Sequence, residues 1–400
     1  MKDEVTIRFV REHRDEDVRQ LALQTRRDGD VDLQWALEQI QGWQTARRKL
    51  PSWAAVDGLV FPPRLSMEQC SSEQTALYKC RIMESLPIAC RTTLVDLTGG
   101  YGVDFAFMAR NTSQAIYVER QERLCDIARH NFGLLGIDHA TIVQGEAEEF
   151  IKKMSTDPAS TLIYIDPARR DDNSNRTYAI EDCTPNVLAI KEQLLGLAHR
   201  VLIKLSPMLD WHKVISDLGG HVAQLHLVSV GGECRELLVL MDSDHEGSPV
   251  ICCVNDNQHL SYDPSQETNE VAIAHSVADW HYLYEPNPSI MKAGCFDVIT
   301  SRFPVQAVAI DSHLFVSDEL IPDFPGRCFM ITGITSMNKK ELSVTLRGIR
   351  RANVAVRNFP MTAQELKVRL RLVDGCDCYI FGTTTNSGNH ILLLCKKPDI

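Results

Sequence analysis

No C-x-x-C pair and no Cys/His spacing of a zinc site occurs in these 400 residues, although thirteen of them are cysteine. The closest pairs are Cys252-Cys253 and Cys376-x-Cys378. Structural zinc modules are thereby excluded, no metal is expected, and the thiols are expected to be reduced and structural. Positive charge is also short: the formal net charge is −11 and the pI near 5.6, so no global field draws nucleic acid and any such binding must rest on a local patch. No run of eighteen apolar residues is present, which excludes a membrane-spanning helix. The opening "MKDEVTIRFVREHRDEDVRQ" is charged from the start and lacks the apolar centre of a signal peptide. A soluble, cytoplasmic protein is expected. What the chain does have is a globular balance, 44% apolar and 24% charged, and enough length for two or three domains.

Residues 1–88 read as mostly helical, because "VRQLALQ" and "VDLQWALEQIQGWQTARRKLPSW" repeat apolar residues at intervals of three and four. Trp35 and Trp43 share one helical face; core packing is expected, with nucleobase stacking the alternative. "FPPR" at 61–64 is a turn or connector, and Ser71 and Gln74 stand at capping-box spacing for the next helix. From residue 92 the period changes. "TTLVDL", "AIYVE", "ATIVQ", "TLIYID" and "RVLIKL" each read as a buried parallel strand, with helical spacing in the stretches between. This run of βα units predicts an α/β fold with a doubly wound parallel sheet. "VAQLHLVSV" and "RELLVLM" are separated only by "GGEC", too little for a crossover helix, so an antiparallel pair must close the sheet. The polar stretch "DSDHEGSP" marks a domain boundary near residue 245, and a small α+β region ends the chain. Its bases cluster: Lys339, Lys340, Arg347, Arg350, Arg351, Arg357, Lys367, Arg369 and Arg371. Either a solvated charged face or a groove for an RNA backbone accounts for them.

The first chemistry lies in "VDLTGGYGVD", residues 95–104. Its strand stops at Asp96, and Gly99, Gly100 and Gly102 let a turn approach a ligand without Cβ atoms in the way. The helix beginning near Tyr101 would direct its unpaired N–H groups there. The order D-x-T-G-G-x-G differs from the G-x-G-x-x-G of dinucleotide-binding folds. Glu119 ends the second strand, twenty residues past Gly99, where a carboxylate accepts both hydroxyls of a ribose; Arg120 follows it. The third strand leads to Glu146 and Ala147 in "VQGEAEEF". The fourth delivers Asp166-Pro167 to the carboxyl end of the sheet, where open α/β sheets bind ligands. Arg169 and Arg170 suit a bidentate phosphate clamp or structural salt bridges. Lys204 and Ser206 follow the fifth strand, beside substrate or in a turn, and Glu233 marks the closing hairpin.

The glycine turn resembles the first motif of class I S-adenosylmethionine-dependent methyltransferases, D/E-x-G-x-G-x-G, with Thr98 in place of the first glycine. That resemblance implies a seven-stranded Rossmann-like sheet and S-adenosylmethionine as cofactor. It also implies a cofactor site of Asp96, Thr98, Gly99, Gly100, Gly102, Glu119, Arg120, Glu146, Ala147 and Asp166, with the Thr98 hydroxyl toward the methionine end. Asp166-Pro167 is similar to the [DN]-P-P-[YFW] segment of enzymes that methylate exocyclic amines, which implies Asp166 and Pro167 as the catalytic pair. Ala168 and Arg169 replace the second proline and the aromatic, so the usual base-stacking side chain is missing. D-P-A-R-R also resembles a segment of RNA 5-methyluridine methyltransferases, but no nucleophilic cysteine closely follows "VLIKLSP".

"DLTGGYGVDFAF", "YVERQ" and "IYIDP" together resemble bacterial ribosomal-RNA guanine-N2 methyltransferases. Over most of its length, through "DPARRD", "EDCTPNV", "KLSPMLD" and "VSVGGECREL", the chain resembles the bacterial THUMP-like-domain proteins. The division this implies is a helical region at 1–88, a methyltransferase domain at 89–245, a ferredoxin-like domain at 246–325 and a THUMP-like domain at 326–400. THUMP modules generally bind RNA, so structured ribosomal or transfer RNA becomes the expected partner, with Arg169, Arg170 and Lys204 contacting it. Two other readings stay open. One is a non-catalytic RNA-binding protein that keeps the fold, favoured by the altered Asp-Pro-Ala-Arg segment. The other is a nicotinamide-dependent oxidoreductase, which fits the ribose acid but not the glycine spacing or the closing hairpin.

Overall fold

The five apolar runs become parallel strands β1 (Thr93–Asp96), β2 (Gln114–Glu119), β3 (Ala140–Gln144), β4 (Thr161–Ile165) and β5 (Arg200–Leu205). They are seen in a computed structural model that describes residues 2–24, 30–169, 179–266, 270–375 and 377–398. β1 lies between β2 and β4, β3 lies outside β2, and β5 outside β4, all in parallel register. β4 is buried along its whole length, as a strand covered on both faces must be, and its sequence is correspondingly apolar without alternation. Strands β6 (Val222–Val230) and β7 (Glu233–Asp242) form the expected hairpin across Gly231-Gly232, and β7 runs antiparallel beside β5. The order is β6-β7-β5-β4-β1-β2-β3, so the reversed strand enters between β5 and the edge strand. The sheet does not stop at the seven strands expected. β8 (Val250–Asn255) and β9 (Gln258–Tyr262) continue the hydrogen-bonded order beyond β6 to nine, because the outer edge of β6 still offers unpaired backbone groups.

The first compact unit takes in Met1–Leu225 and Glu236–Gly247, and the second His226–Arg235 and Ser248–Ile400. Within the first, helices α1 (Glu4–His13), α2 (Val18–Gln24), α3 (Leu33–Lys49), α4 (Pro51–Ala54), α5 (Arg64–Gln69) and α6 (Glu73–Ser85) precede the sheet. Between and after the parallel strands come α7 (Val103–Ala109), α8 (Glu122–Leu134), α9 (Ala147–Ile151), α10 (Val187–Leu197) and α11 (Trp211–Leu218). The N-cap of α6 is Ser72, whose Oγ accepts the Thr75 N–H at 3.2 Å; the cap expected at Ser71 is one residue early, because Ser71 is taken by a distant carboxylate. The connector around "VFPP" is held from two sides. Gln39 exchanges two hydrogen bonds with Phe61, at 2.8 and 3.0 Å, and Asn131 two with Val60, at 2.8 and 2.9 Å. Trp43 donates its indole N–H to Ala54 O at 3.1 Å and carries the guanidinium groups of Arg14 and Arg47 over its ring. It and Trp35 are half-buried rather than core residues.

In the second unit a separate sheet joins β10 (Tyr282–Pro286), β11 (Gln306–Ala307), β12 (Phe315–Ser317), β13 (Gly326–Ser336), β14 (Asn353–Arg357), β15 (Cys378–Thr384) and β16 (His390–Lys396). Its order is β11-β12-β10-β13-β16-β15-β14, with β14 parallel to β15. Leu283, Phe329, Phe381 and Leu393 form one part of its core, and Leu366, Ile380 and Leu392 another. Among the described residues no helix is long and apolar enough to cross a membrane, and no disulfide joins the cysteines.

Candidate functional site

The turn after β1 is built by a buried acid. Asp96, 1% exposed, accepts the Thr98 N–H at 2.9 Å through Oδ1, and burial pushes its carboxyl well above the usual range. Gly100 has φ +57, and a Cβ there would meet nothing nearer than Thr98 O at 3.8 Å, so it is the positive φ rather than crowding that calls for glycine. Gly99 is a glycine for another reason. A Cβ there would lie 2.1 Å from the Tyr117 ring, so the expectation of a Cβ-free approach to a ligand gives way to close packing against β2. Gly102 is the N-cap of α7. Tyr101 braces the turn from the helical region, meeting Trp53 edge-on at 5.1 Å and donating its hydroxyl to Val60 O at 3.3 Å.

Glu119 at the end of β2 is bound into the same turn. Its Oε2 accepts the Gly100 N–H at 2.9 Å and its Oε1 the Gln121 N–H at 2.8 Å. Each oxygen retains a lone-pair direction. Arg120 beside it is exposed; Glu146 is exposed at the N-cap of α9, and Ala147 is buried.

The end of β4 is tied to the end of β1, since the Asp166 N–H donates to Thr98 Oγ1 at 2.6 Å. This is the use the structure gives to the hydroxyl that stands where the related motif has glycine. The Asp166 carboxylate accepts from Lys204 Nζ on β5 at 2.5 Å through Oδ2. Burial pushes the Asp166 carboxyl up, Lys204 pulls it back, and the net direction is upward. Burial works against the Lys204 charge, yet Asp166, Glu236 and Asp104 together raise its pKa. Pro167 is buried and Ala168 is exposed. Ala168-Arg169 pairs antiparallel with Cys183-Thr184. The Arg169 side chain and all of Arg170 lie outside the described residues.

Behind these residues is a network that reading the sequence did not find. Lys79 of α6 is fully buried and forms ion pairs with Glu236 of β7 at 2.5 Å and Asp104 of α7 at 3.2 Å. Ser71 Oγ and Tyr164 OH each donate to Asp104 Oδ2 at 2.7 Å. Burial opposes ionisation of Asp104, but the Lys79 and Lys204 ammoniums overcome it and hold the carboxyl below its usual range. Asp104 is the last residue of "VDLTGGYGVD", one stretch of this network that the sequence singled out. Lys79 reads locally as a solvent-facing helix residue. Glu233, by contrast, is an exposed hairpin residue paired with Arg235 at 2.7 Å.

In the second unit, three bases of the C-terminal cluster are engaged locally: Arg357 with Glu285 at 2.7 Å, Lys367 with Asp374 at 2.7 Å, and Arg351 with Asp374 O at 3.2 and 3.3 Å. Lys339, Lys340, Arg347, Arg350, Arg369 and Arg371 are exposed. Among the described residues no group of three or more His, Cys, Asp or Glu side chains is placed to hold a metal ion.

Family models match a ferredoxin-like domain at residues 282–325 and a THUMP-domain-like module at 326–397. No curated protein is detectably similar in sequence. Among solved structures, a protein of Porphyromonas gingivalis W83 described as a putative methyltransferase is 31% identical, with TM-score 0.86 and both chains covered over 100% of their length. An rRNA methylase of Streptococcus thermophilus is 16% identical over 42% of this chain and 94% of its own, with TM-score 0.32. An Agrobacterium tumefaciens S-adenosylmethionine-dependent methyltransferase is 16% identical over 43% and 62%, with TM-score 0.31. On the match along its whole length, the chain belongs with the P. gingivalis protein to the THUMP-like-domain methyltransferase family.

Proposed function

We propose that the protein transfers a methyl group from S-adenosylmethionine to an exocyclic amine of a base in structured RNA, ribosomal or transfer. The observation that carries this reading is the 2.6 Å bond from the Asp166 N–H to Thr98 Oγ1, which fixes the acceptor acid to the turn that would hold the cofactor. The residues fit that group. Glu119 keeps two acceptor directions for ribose hydroxyls, Gly100 leaves the turn open, and Glu146 and Ala147 follow β3 where the adenine would lie. Asp96 acts by shaping the turn through Thr98.

When bound, S-adenosylmethionine supplies a methyl group already activated by its sulfonium charge. The protein's task is therefore alignment more than strong acid or base chemistry. Asp166 accepts a hydrogen bond from the amine and directs the nitrogen lone pair along the attack line, followed in the chain by the buried Pro167. From their chemistry alone Arg169 and Arg170 are the candidates for a substrate phosphate, and the exposed bases Lys339, Lys340, Arg347, Arg350, Arg369 and Arg371 supply the backbone contacts that a chain of net charge −11 needs locally. The division at residues 88, 245 and 325 is part of this proposal.

One observation favours a non-catalytic RNA-binding reading: the Asp166 carboxylate is already engaged by Lys204. The two are separated by incubating wild type and Asp166→Ala, which removes the acceptor oxygen that Asn would keep, with methyl-tritiated S-adenosylmethionine and total RNA from cells lacking the protein. Label in an RNA band, reduced by about 100-fold in the variant, supports transfer. Cofactor binding without label in any RNA supports the non-catalytic reading.

A further inference from the structure

Lys204 and Asp166 occupy adjacent strands, β5 and β4, at the carboxyl end of the sheet. The Lys204 side chain is 13% exposed and that of Asp166 36%, so the lysine lies behind the acid rather than beside it in solvent. Their contact is short, 2.5 Å, and it is not isolated. Asp166 is held at its backbone by Thr98 and at its carboxylate by Lys204. Lys204 in turn sits in the field of Glu236 and Asp104, and the fully buried Lys79 binds both of those acids. A lone exposed ion pair would fix little. An enclosed one, backed by further charges of fixed position, holds its partner in one rotamer.

We propose that Lys204 is a positioning residue, not a substrate contact: its ammonium fixes the Asp166 carboxylate so that the oxygen it does not hold faces the acceptor amine. The proposal rests on the methyl-transfer reading above. It also has an electrostatic side. Asp166 is faced by Lys204 from β5, Asp104 from α7, Glu236 from β7, Asp96 from β1 and the Tyr164 phenol from β4. Of these groups Lys204 is the cation. Removing it leaves burial and the other acids to raise the Asp166 carboxyl, and a protonated Asp166 offers the amine an O–H in place of an acceptor oxygen.

The test uses full-length Lys204→Met, Lys204→Gln and Lys204→Arg, each first titrated with S-adenosylhomocysteine, whose binding should stay at the wild-type level in a folded variant. In the tritium assay, Met and Gln should lower kcat about tenfold or more with an unchanged KM for S-adenosylmethionine. They should also move the acid limb of the pH profile up by about one unit, and Arg should restore both. Independently of activity, the Asp166 carboxyl is followed by carbon-13 NMR in protein labelled at aspartate Cγ, its signal assigned by its loss in Asp166→Asn. Titration at higher pH in Met or Gln than in wild type supports the proposal. An unchanged Asp166 titration in either folded variant overturns it, whatever the RNA assay gives. A wild type that binds S-adenosylhomocysteine and labels no RNA instead overturns the methyl-transfer reading, with the NMR result left standing.

Discussion

Three glycines of the β1 turn look alike in sequence and do different things. Gly99 has the Tyr117 ring where a Cβ would go, and Gly100 has nothing nearer than 3.8 Å but holds a positive φ. Gly99→Ala should therefore lower stability by about 1–3 kcal/mol through overpacking, and Gly100→Ala by about 1 kcal/mol through backbone strain. Thermal denaturation of the two variants checks the order; a larger loss in Gly100→Ala would contradict it. The sequence showed where the turn would be, because strand ending and glycine spacing are local. It did not show why each glycine is there, because Tyr117 comes from the next strand. Ser71 teaches the same lesson. Ser71 alone has a glutamine at capping-box spacing, yet Ser72 caps α6, because Asp104, thirty-three residues away, takes the Ser71 hydroxyl.

Among the elements, the five parallel strands were legible because each is a short apolar run bounded by polar or turn residues, and the hairpin because its link was too short for a helix. β8 and β9 were not: they lie beyond the polar "DSDHEGSP", and only the open edge of β6 calls them into the sheet. The Lys79–Asp104–Glu236 group was equally unreadable, since its members lie on α6, α7 and β7 and meet only in three dimensions. Strand β6 also carries a pH-dependent contribution to stability. His226, 4% exposed, is held down to about 3 by burial and by neighbouring His259. Above about pH 6.5 the imidazole is neutral folded or unfolded, and its contribution is intact. As pH falls from there toward about 3 the unfolded chain binds the proton and the folded one does not, so stability is lost at about 1.4 kcal/mol per unit. His226→Phe should remove that slope, narrowing the change in denaturant midpoint energy between pH 7 and pH 5 by about 2 kcal/mol. A variant with the wild-type pH dependence would show that His226 keeps the same proton count in both states.

At the scale of the whole molecule, chemistry and charge fall in different units. The first holds the turn, Glu119, Asp166 and the buried ion network; the second holds the exposed bases of the THUMP-like module. The central claim is that the turn and Glu119 bind S-adenosylmethionine. Calorimetric titration of wild type and Glu119→Gln with S-adenosylhomocysteine and S-adenosylmethionine tests it most directly, with circular dichroism to confirm that both are folded. Saturable one-to-one binding by wild type, weakened about 10- to 100-fold in the variant, is the expected result, the loss being that of charge-assisted hydrogen bonds. A folded wild type that binds neither ligand, with or without RNA present, would contradict the claim.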